Sequence, residues 1–471
     1  MRATLLACLI VAAAAPASAE VRQQKPDSTA GYYFLLGRHL ESEGKVEDAI
    51  AAHKRAIELD PTSAELYAEL AGLYARQDRA LDSVQAAEAA LERDPANREA
   101  NRILGSIYAA LVEQRRKLRP GDIPSQYAPR AIASLEKARR EGIPDAGLEL
   151  TLGRLYVQTR AYKQAIAVLR RVVDDQPGYP DAAFLLAVAQ EGVGEPDAAI
   201  GTLETALIYS PSFFRGRVRV AELHEKQGRW VEAAAAYAKA QALNTAASDL
   251  TPRRAAALIN AGRAAEAREL LQPATEAGKG STDPAVLYLL AVSQRQVGDL
   301  SAAETTANKL RALAPEDVRG LYVIAQIRDA KGDAPGAERA LRDLLAKDPV
   351  DATALNYLGY MLAERGERLE EAIELVQRAL KVEPANPSFL DSLGWAYYRQ
   401  GKLDLADPPL TEAAGKLPRS SVVNDHLGDL RFKQKRYADA AAAWERSLAG
   451  DGESIKRAEI EKKLREAKAR Q

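Results

Sequence analysis

Leu355-Asn356-Tyr357-Leu358-Gly359-Tyr360, Leu390-Asp391-Ser392-Leu393-Gly394-Trp395 and Asn424-Asp425-His426-Leu427-Gly428-Asp429 are three versions of one phrase, begun 35 and then 34 residues apart. Each is followed by an alanine at a corresponding place, and the first two by a proline. Ala372 and Pro384 follow the first, Ala406 and Pro418 the second, and Ala440 and Trp444 the third. Moving outward, Leu36-Gly37 is followed by Ala49, Ala56 and Pro61, and Leu70-Ala71 by Tyr74, Ala90 and Pro95. Leu104-Gly105, Leu152-Gly153, Leu186-Ala187, Val220-Ala221, Leu290-Ala291 and Ile324-Ala325 continue the series. Self-similarity at a fixed period of this length is the mark of a repeat architecture and overrides the domain count that 471 residues would suggest.

The spacing has a physical reading. Apolar residues three and four apart predict two short amphipathic helices in each unit. Gly or Ala at the eighth place and Ala at the twentieth let those helices approach closely. Leu at the seventh place and an aromatic at the eleventh fill the space beside them. Gly228-Arg229, Gly298-Asp299 and Gly401-Lys402 end first helices and start turns. Proline at the thirty-second place stops the second helix. One such unit cannot bury its apolar face alone, so the units stack and share a core.

This pattern resembles the tetratricopeptide (TPR) family, and the resemblance runs through nearly all of the chain after residue 29. It implies an all-α fold, a right-handed superhelical α-solenoid of helix pairs with a C-terminal capping helix. The register gives repeats 1–3 over 30–145, with an insertion at about 113–130. Repeats 4–7 cover 146–281 and repeats 8–12 cover 282–454. The seventh is degenerate, with Arg254-Ala255 where Leu-Gly is expected. The insertion holds Arg115-Arg116-Lys117 and three prolines, and is read as an extended helix and a solvated loop rather than a docking element. Over 455–471, Ile460, Leu464 and Ala467 share one helical face amid Lys, Arg and Glu, as a solvating cap requires.

The opening of the chain is different. Arg2, the apolar run Leu5–Ala15 and Ala17-Ser18-Ala19 form the three parts of a secretory signal, so 1–19 is expected to be removed and 20–29 to be a linker. The run is too short to cross about 30 Å of hydrocarbon. Leu5-Leu6-Ala7-Cys8 has the look of a lipobox, but most of the apolar run follows Cys8, so a lipid-anchored form is the lesser expectation. The expected place is therefore the periplasm of a bacterium, with no transmembrane segment after cleavage. Cys8 is the single cysteine, so a chain starting at Glu20 has no disulfide and no thiolate site. Lys and Arg number 65 against 66 Asp and Glu, which gives no basic footprint for nucleic acid.

Catalytic signals are poor. His39, His53, His224 and His426 never share a helix turn, so no zinc motif forms, and no P-loop or Gly-x-Ser-x-Gly is present. His53 and His224 fall at packing positions. Asp425, His426 and Asp429 are read as a polar repeat face and not an acid–base site, because no activated nucleophile or pocket accompanies them. No cofactor, metal site or enzyme activity is expected.

The resemblance implies a protein or peptide partner in the groove lined by the first helices. In repeats 8–12 the lining places carry Tyr288, Arg295, Arg319, Tyr322, Gln326, Asn356, Tyr360, Asp391, Trp395, Tyr398, Arg399, Asp425, Phe432 and Lys433. Aromatic rings beside Arg and Asn suit a peptide groove. Packing of the same rings between neighbouring helices is the competing reading. Phe34 and Arg38 stand where the Lys and Asn of a chaperone-tail clamp would be, so that ligand is not expected. The last repeats also resemble exported bacterial TPR adaptors of the cell envelope. This implies either an adaptor for an envelope protease or a structural subunit of an export or polysaccharide-secretion complex.

Overall fold

The computed structural model describes residues 29–471 except 116, 119–122, 141–144, 246, 248, 276–282 and 453–454. The expected signal and nearly all of the linker lie outside the described residues, as does part of the insertion. The described residues hold 25 α-helices and no strand. They group into two compact units, one ending at Leu223 and one beginning at His224.

The first unit is a stack of helix pairs: Ala30–Ser42 with Val46–Leu59, Ala64–Arg76 with Ala80–Arg93, Arg98–Gln114 with Tyr127–Ala138, Ala146–Gln158 with Tyr162–Asp175, and Pro180–Gly192 with Pro196–Tyr209. Phe214–Lys226 carries the division. The second unit runs through Trp230–Leu243 and then continues in pairs. These are Leu250–Asn260 with Ala264–Leu271, Pro284–Gln296 with Leu300–Leu313, Arg319–Ala330 with Ala334–Lys347, Ala352–Arg365 with Leu369–Val382, Pro387–Arg399 with Leu403–Lys416, and Ser421–Lys433 with Tyr437–Ala449. Arg457–Ala469 closes it. At the degenerate seventh repeat two short helices form, with Ala255, Ala267 and Leu271 fully buried.

Local chemistry starts and stops these helices. Most first helices open on a Ser, Thr, Asp or Asn whose side chain accepts a backbone N–H: Ser63 from Leu66, Asn97 from Ala100, Asp351 from Ala354, Asn386 from Phe389. They end in a left-handed residue. At Gly401 (φ +81°) its own N–H donates to Tyr398 C=O and the Lys402 N–H reaches back to Tyr397 C=O, which closes the helix and turns the chain in one step. Gly228 and Gly298 do the same.

The pair is held by a size rule. The alanines at the twentieth place (Ala49, Ala165, Ala199, Ala233, Ala303, Ala337, Ala372, Ala406, Ala440) have no exposed surface. Where the eighth place is glycine, a large side chain of the second helix lies over it: His53 on Gly37, Leu169 on Gly153, Leu410 on Gly394, Trp444 on Gly428. A Cβ on Gly394 would stand 2.5 Å from Leu410 Cγ and 3.1 Å from the Ala406 carbonyl oxygen. In the second pair, where Ser83 replaces the alanine, its buried hydroxyl donates to Ala71 C=O at 2.7 Å, so the polar atom is satisfied.

The described part of the insertion lengthens the helix Arg98–Gln114 to 17 residues and adds a 3₁₀ turn at Pro124–Gln126. Tyr127, 2% exposed, anchors it by stacking on Tyr108 and accepting the Leu118 N–H at its hydroxyl. At the other end, Ile460 and Ala467 of the last helix are buried and Leu464 packs beside them against Trp444 and Ala441.

Gly394→Leu should overpack the crossing with Leu410 and lower stability by about 1–3 kcal/mol. Chemical or thermal unfolding checks this; an unchanged transition would contradict the packing at that place.

Candidate functional site

The first helices of the second unit present the residues named from the sequence, and the structure sorts them into three settings. The first lies over Pro284–Gln296, Arg319–Ala330 and the start of Ala352–Arg365. Tyr288, Tyr322, Gln326, Asn356 and Arg295 are half-buried and Arg319 is exposed. The Arg319 guanidinium sits 5.1 Å from the Tyr288 ring and pairs with Asp317 at 2.5 Å. Tyr322 meets the edge of Tyr357 at 5.9 Å, and the Tyr357 hydroxyl donates to Asp329 Oδ2 at 2.8 Å. Burial pushes the Tyr322 and Tyr357 phenols up, so both stay protonated at neutral pH.

The second setting is a stack across Ala352–Arg365, Pro387–Arg399 and Ser421–Lys433. Trp395 lies flat on His426 (centroids 4.0 Å apart, planes 13° apart) and on Tyr398 (4.9 Å, 15°). Its Nε1–H donates to Glu364 Oε2 at 2.7 Å. His426 Nδ1 stands 3.0 Å from both oxygens of Asp391. Trp395, Asp391 and His426 are 7%, 5% and 5% exposed. Arg399 caps the stack, donating to the Glu364 carbonyl at 2.5 Å with its guanidinium 5.7 Å from the Trp395 ring. Tyr360, Tyr398 and Arg399 are half-buried at its edge. Trp395 and Asp391 are thus held between helices and do not line an open groove, because a flat ring at the ninth place finds the next helix within stacking distance.

The third setting is the junction with Arg457–Ala469. Lys463 Nζ bonds Asp425 Oδ1 at 3.0 Å and Asp429 Oδ1 at 2.7 Å, and Trp444 Nε1–H donates to Asp425 Oδ1 at 2.9 Å. Arg470 lies 5.0 Å from the Phe432 ring, which also meets Tyr437 and Trp444. Asp425 and Phe432 therefore serve the terminal helix, while Lys433 is exposed. The sequence motif Asp425, His426, Asp429 is not an open polar face: His426 turns to Asp391, while Asp425 and Asp429 share Lys463. Sequence reasoning missed Asp391 as the partner of His426, and Lys463 and Glu364 as partners of Asp425 and Trp395. The available signal is separation: these pairs lie 35, 38 and 31 residues apart, close to one repeat.

Burial opposes the charge on His426, yet the Asp391 carboxylate, with Asp425 and Asp429 beyond it, raises its pKa. Burial, then Asp425, raises Asp429 against the pull of Lys463. In the first unit His53 is the opposite case. It is fully buried under Gly37, neither ring nitrogen has a partner, and burial lowers its pKa. Among the described residues no group of three or more His, Cys, Asp or Glu could hold a metal ion, and no helix is long and apolar enough to cross a membrane.

Models described as tetratricopeptide repeat match residues 128–180, 322–388, 365–421 and 156–215, and one described as TPR repeat matches 37–78. The chain is a tetratricopeptide repeat protein. A TPR repeat-containing protein of Pseudomonas aeruginosa is 37% identical over 180 residues, 38% of this chain and 30% of that protein. Cellulose synthase operon protein C of Xanthomonas axonopodis pv. citri is 25% identical over 392 residues, 81% of this chain and 24% of that protein. The protein of the same name from Pseudomonas fluorescens is 31% identical over 155 residues, 31% of this chain and 12% of that one. The chain thus spans less than a third of the length of these curated relatives. The crystal structure of yeast Tom70 superposes with a TM-score of 0.45 at 16% identity over 95% of this TPR chain and 96% of that one.

Because the folded pKa of His426 is raised, its stabilising pairing is fully present below the unfolded value of about 6.5 and is lost as pH rises through the folded value. His426→Gln should cost about 2 kcal/mol at pH 6 and progressively less toward pH 9. Unfolding curves of both proteins across that range check it; a pH-independent difference would contradict the paired charge.

Proposed function

We propose that this TPR protein is an exported scaffold that holds a protein or peptide partner on the first-helix face of its last five repeats, and that it performs no catalysis. One observation carries the reading. Half-buried tyrosines recur across consecutive first helices at 288, 322, 360 and 398, each packed against the edge of the core and none fully buried. Such rings supply contact area at low entropic cost, since only two side-chain torsions are fixed on binding. The TPR fold itself is a scaffold for protein–protein contacts. The buried members of the named set, Trp395 and Asp391, and those engaged by the terminal helix, Asp425 and Phe432, shape this face from beneath. The open contacts fall to Tyr288, Arg295, Tyr322, Asn356, Tyr360 and Tyr398.

A second reading is favoured by the relatives. Two of them are named cellulose synthase operon protein C, and one aligns along most of this chain. On that ground the partner belongs to a polysaccharide-secretion assembly in the envelope, and the solenoid is one of its structural subunits. An envelope protease is the other class of partner compatible with the same face.

Crosslinking in cells separates these readings. The wild type should capture a partner that a Tyr322→Ala, Tyr360→Ala, Tyr398→Ala variant with native helix content retains at least tenfold less. Equal capture by both would remove the face from consideration. A membrane complex among the captured proteins supports the secretion reading, and a protease the adaptor reading. Export has its own check: mass spectrometry of the chain from the periplasmic fraction should give Glu20 as the first residue, and an intact Met1 there would overturn the cleavage.

A further inference from the structure

Arg295 and Asn356 are the two residues of the open face with a buried polar atom and no partner. Arg295 Nε and Asn356 Oδ1 are both shut off from solvent without a hydrogen bond. The other cations nearby are taken: Arg319 by Asp317, Arg328 and Lys331 by Glu304, Arg399 by Glu364. No described carboxylate pairs with Arg295, whose charge instead acts on the hydroxyls of Tyr322 and Tyr357. A guanidinium stripped of water on one edge and left unpaired meets an anion on its outer edge with less screening than a free side chain would. Asn356 turns its amide oxygen inward without a donor, which leaves its Nδ2 to face a ligand. Tyr322 and Tyr360 provide rings whose hydroxyls burial keeps protonated.

Resting on the peptide-binding reading above, we propose that repeats 8–10 bind an extended peptide segment whose single acidic side chain pairs with the outer edge of Arg295 and whose backbone C=O accepts from Asn356 Nδ2. Three consecutive first helices, each roughly 9 Å from the next, make a span of about 20 Å. An extended chain crosses that with about six residues. Asp329, Asp351 and Glu364 border the same face, and Asp351 and Glu364 act on the Tyr322 and Tyr360 hydroxyls respectively. Their field disfavours a second acid in the segment, and a free C-terminus next to an acidic residue would place two charges there. The occupant is therefore an internal segment with one Asp or Glu, flanked by neutral or basic residues.

The test pans a random dodecapeptide phage library, its peptides internal to the display protein, on the full-length chain. Selected sequences are remade as amidated peptides and titrated by fluorescence anisotropy. The selected peptides should share one Asp or Glu, and Glu→Gln in the peptide should weaken binding at least tenfold. Arg295→Gln in the protein should weaken it as much and abolish the difference between the Glu and Gln peptides. Arg295→Lys should recover part of the affinity, and Asn356→Ala should weaken both peptides equally. Circular dichroism melts of each variant exclude misfolding as the cause. An acid preference that survives Arg295→Gln overturns the proposal, as does tighter binding of free-acid than of amidated C-termini. Peptides that bind through Tyr322 and Tyr360 with no acid preference overturn this inference and leave the scaffold reading standing. No selected peptide at all overturns both.

Discussion

Each repeat rests on one crossing, where the eighth residue of the first helix meets the twenty-fourth of the second. Two helix backbones can approach there only if one side contributes almost no volume. Glycine at 37, 105, 153, 359, 394 and 428 leaves room for His53, Leu135, Leu169, Val376, Leu410 and Trp444. Where alanine stands at the eighth place, as at 291 and 325, the residue at the twenty-fourth is Ala307 or Leu341, and the buried alanine at the twentieth place, Ala303 or Ala337, keeps the axes close in either case. The crossing fixes the tilt of the pair. The tilt decides which flanks of the first helix face the next repeat and which stay open. Which side chains of a first helix reach the surface therefore follows from a rule about small residues.

Polar links join neighbouring repeats alongside the apolar core. Trp395 to Glu364, His426 to Asp391, Tyr357 to Asp329 and Arg431 to Asp407 join consecutive pairs of the second unit. Asp407 takes Arg431, Gln434 and Thr411 together, and the Arg431 contact, followed by those of its neighbours, holds its carboxyl at about 2. Stability in a stack is a sum of units and nearest-neighbour contacts, so such links act locally. They fix the register of one repeat on the next, because a misplaced buried carboxylate would lose its donor. They are densest at the end of the chain, where Lys463 adds the terminal helix to the same network.

The helices were legible because their signals are local. Alanine at the twentieth place, the αL glycine of the turn and the Ser, Thr, Asp or Asn cap each act within one repeat and appear in order along the sequence. The fate of the groove side chains depends on a neighbour one repeat away. Trp395 reads as a groove aromatic until His426, 31 residues on, is seen to lie under it. Asp425 reads as a free acid until Lys463 arrives from a helix that the repeat pattern does not include. Phe432 is claimed in the same way by Arg470. Position within a repeat states which helix face a residue is on; only the volume and charge of the residue opposite decide whether that face is open. Arg295 and Asn356 were named by position alone, and their lack of partners was invisible in the sequence for the same reason.

The uneven satisfaction of polar groups along the second unit bears on function. In the last two repeats most charges and indole N–H groups are paired, and the terminal helix covers what remains of the apolar face. Rebinding such groups to a ligand would first break internal bonds worth about 1–3 kcal/mol each. Over repeats 8–10 the cost runs the other way. Arg295 and Asn356 have already lost solvent on one side without gaining a bond, so a ligand that reaches their outer edges finds groups whose desolvation is half complete. A scaffold gains affinity most readily where its own structure has left donors and acceptors unmatched, and loses it where they are spent on holding the repeats together. On the proposed reading the well-paired end serves as the anchor, and repeats 8–10 as the place where a partner would be held.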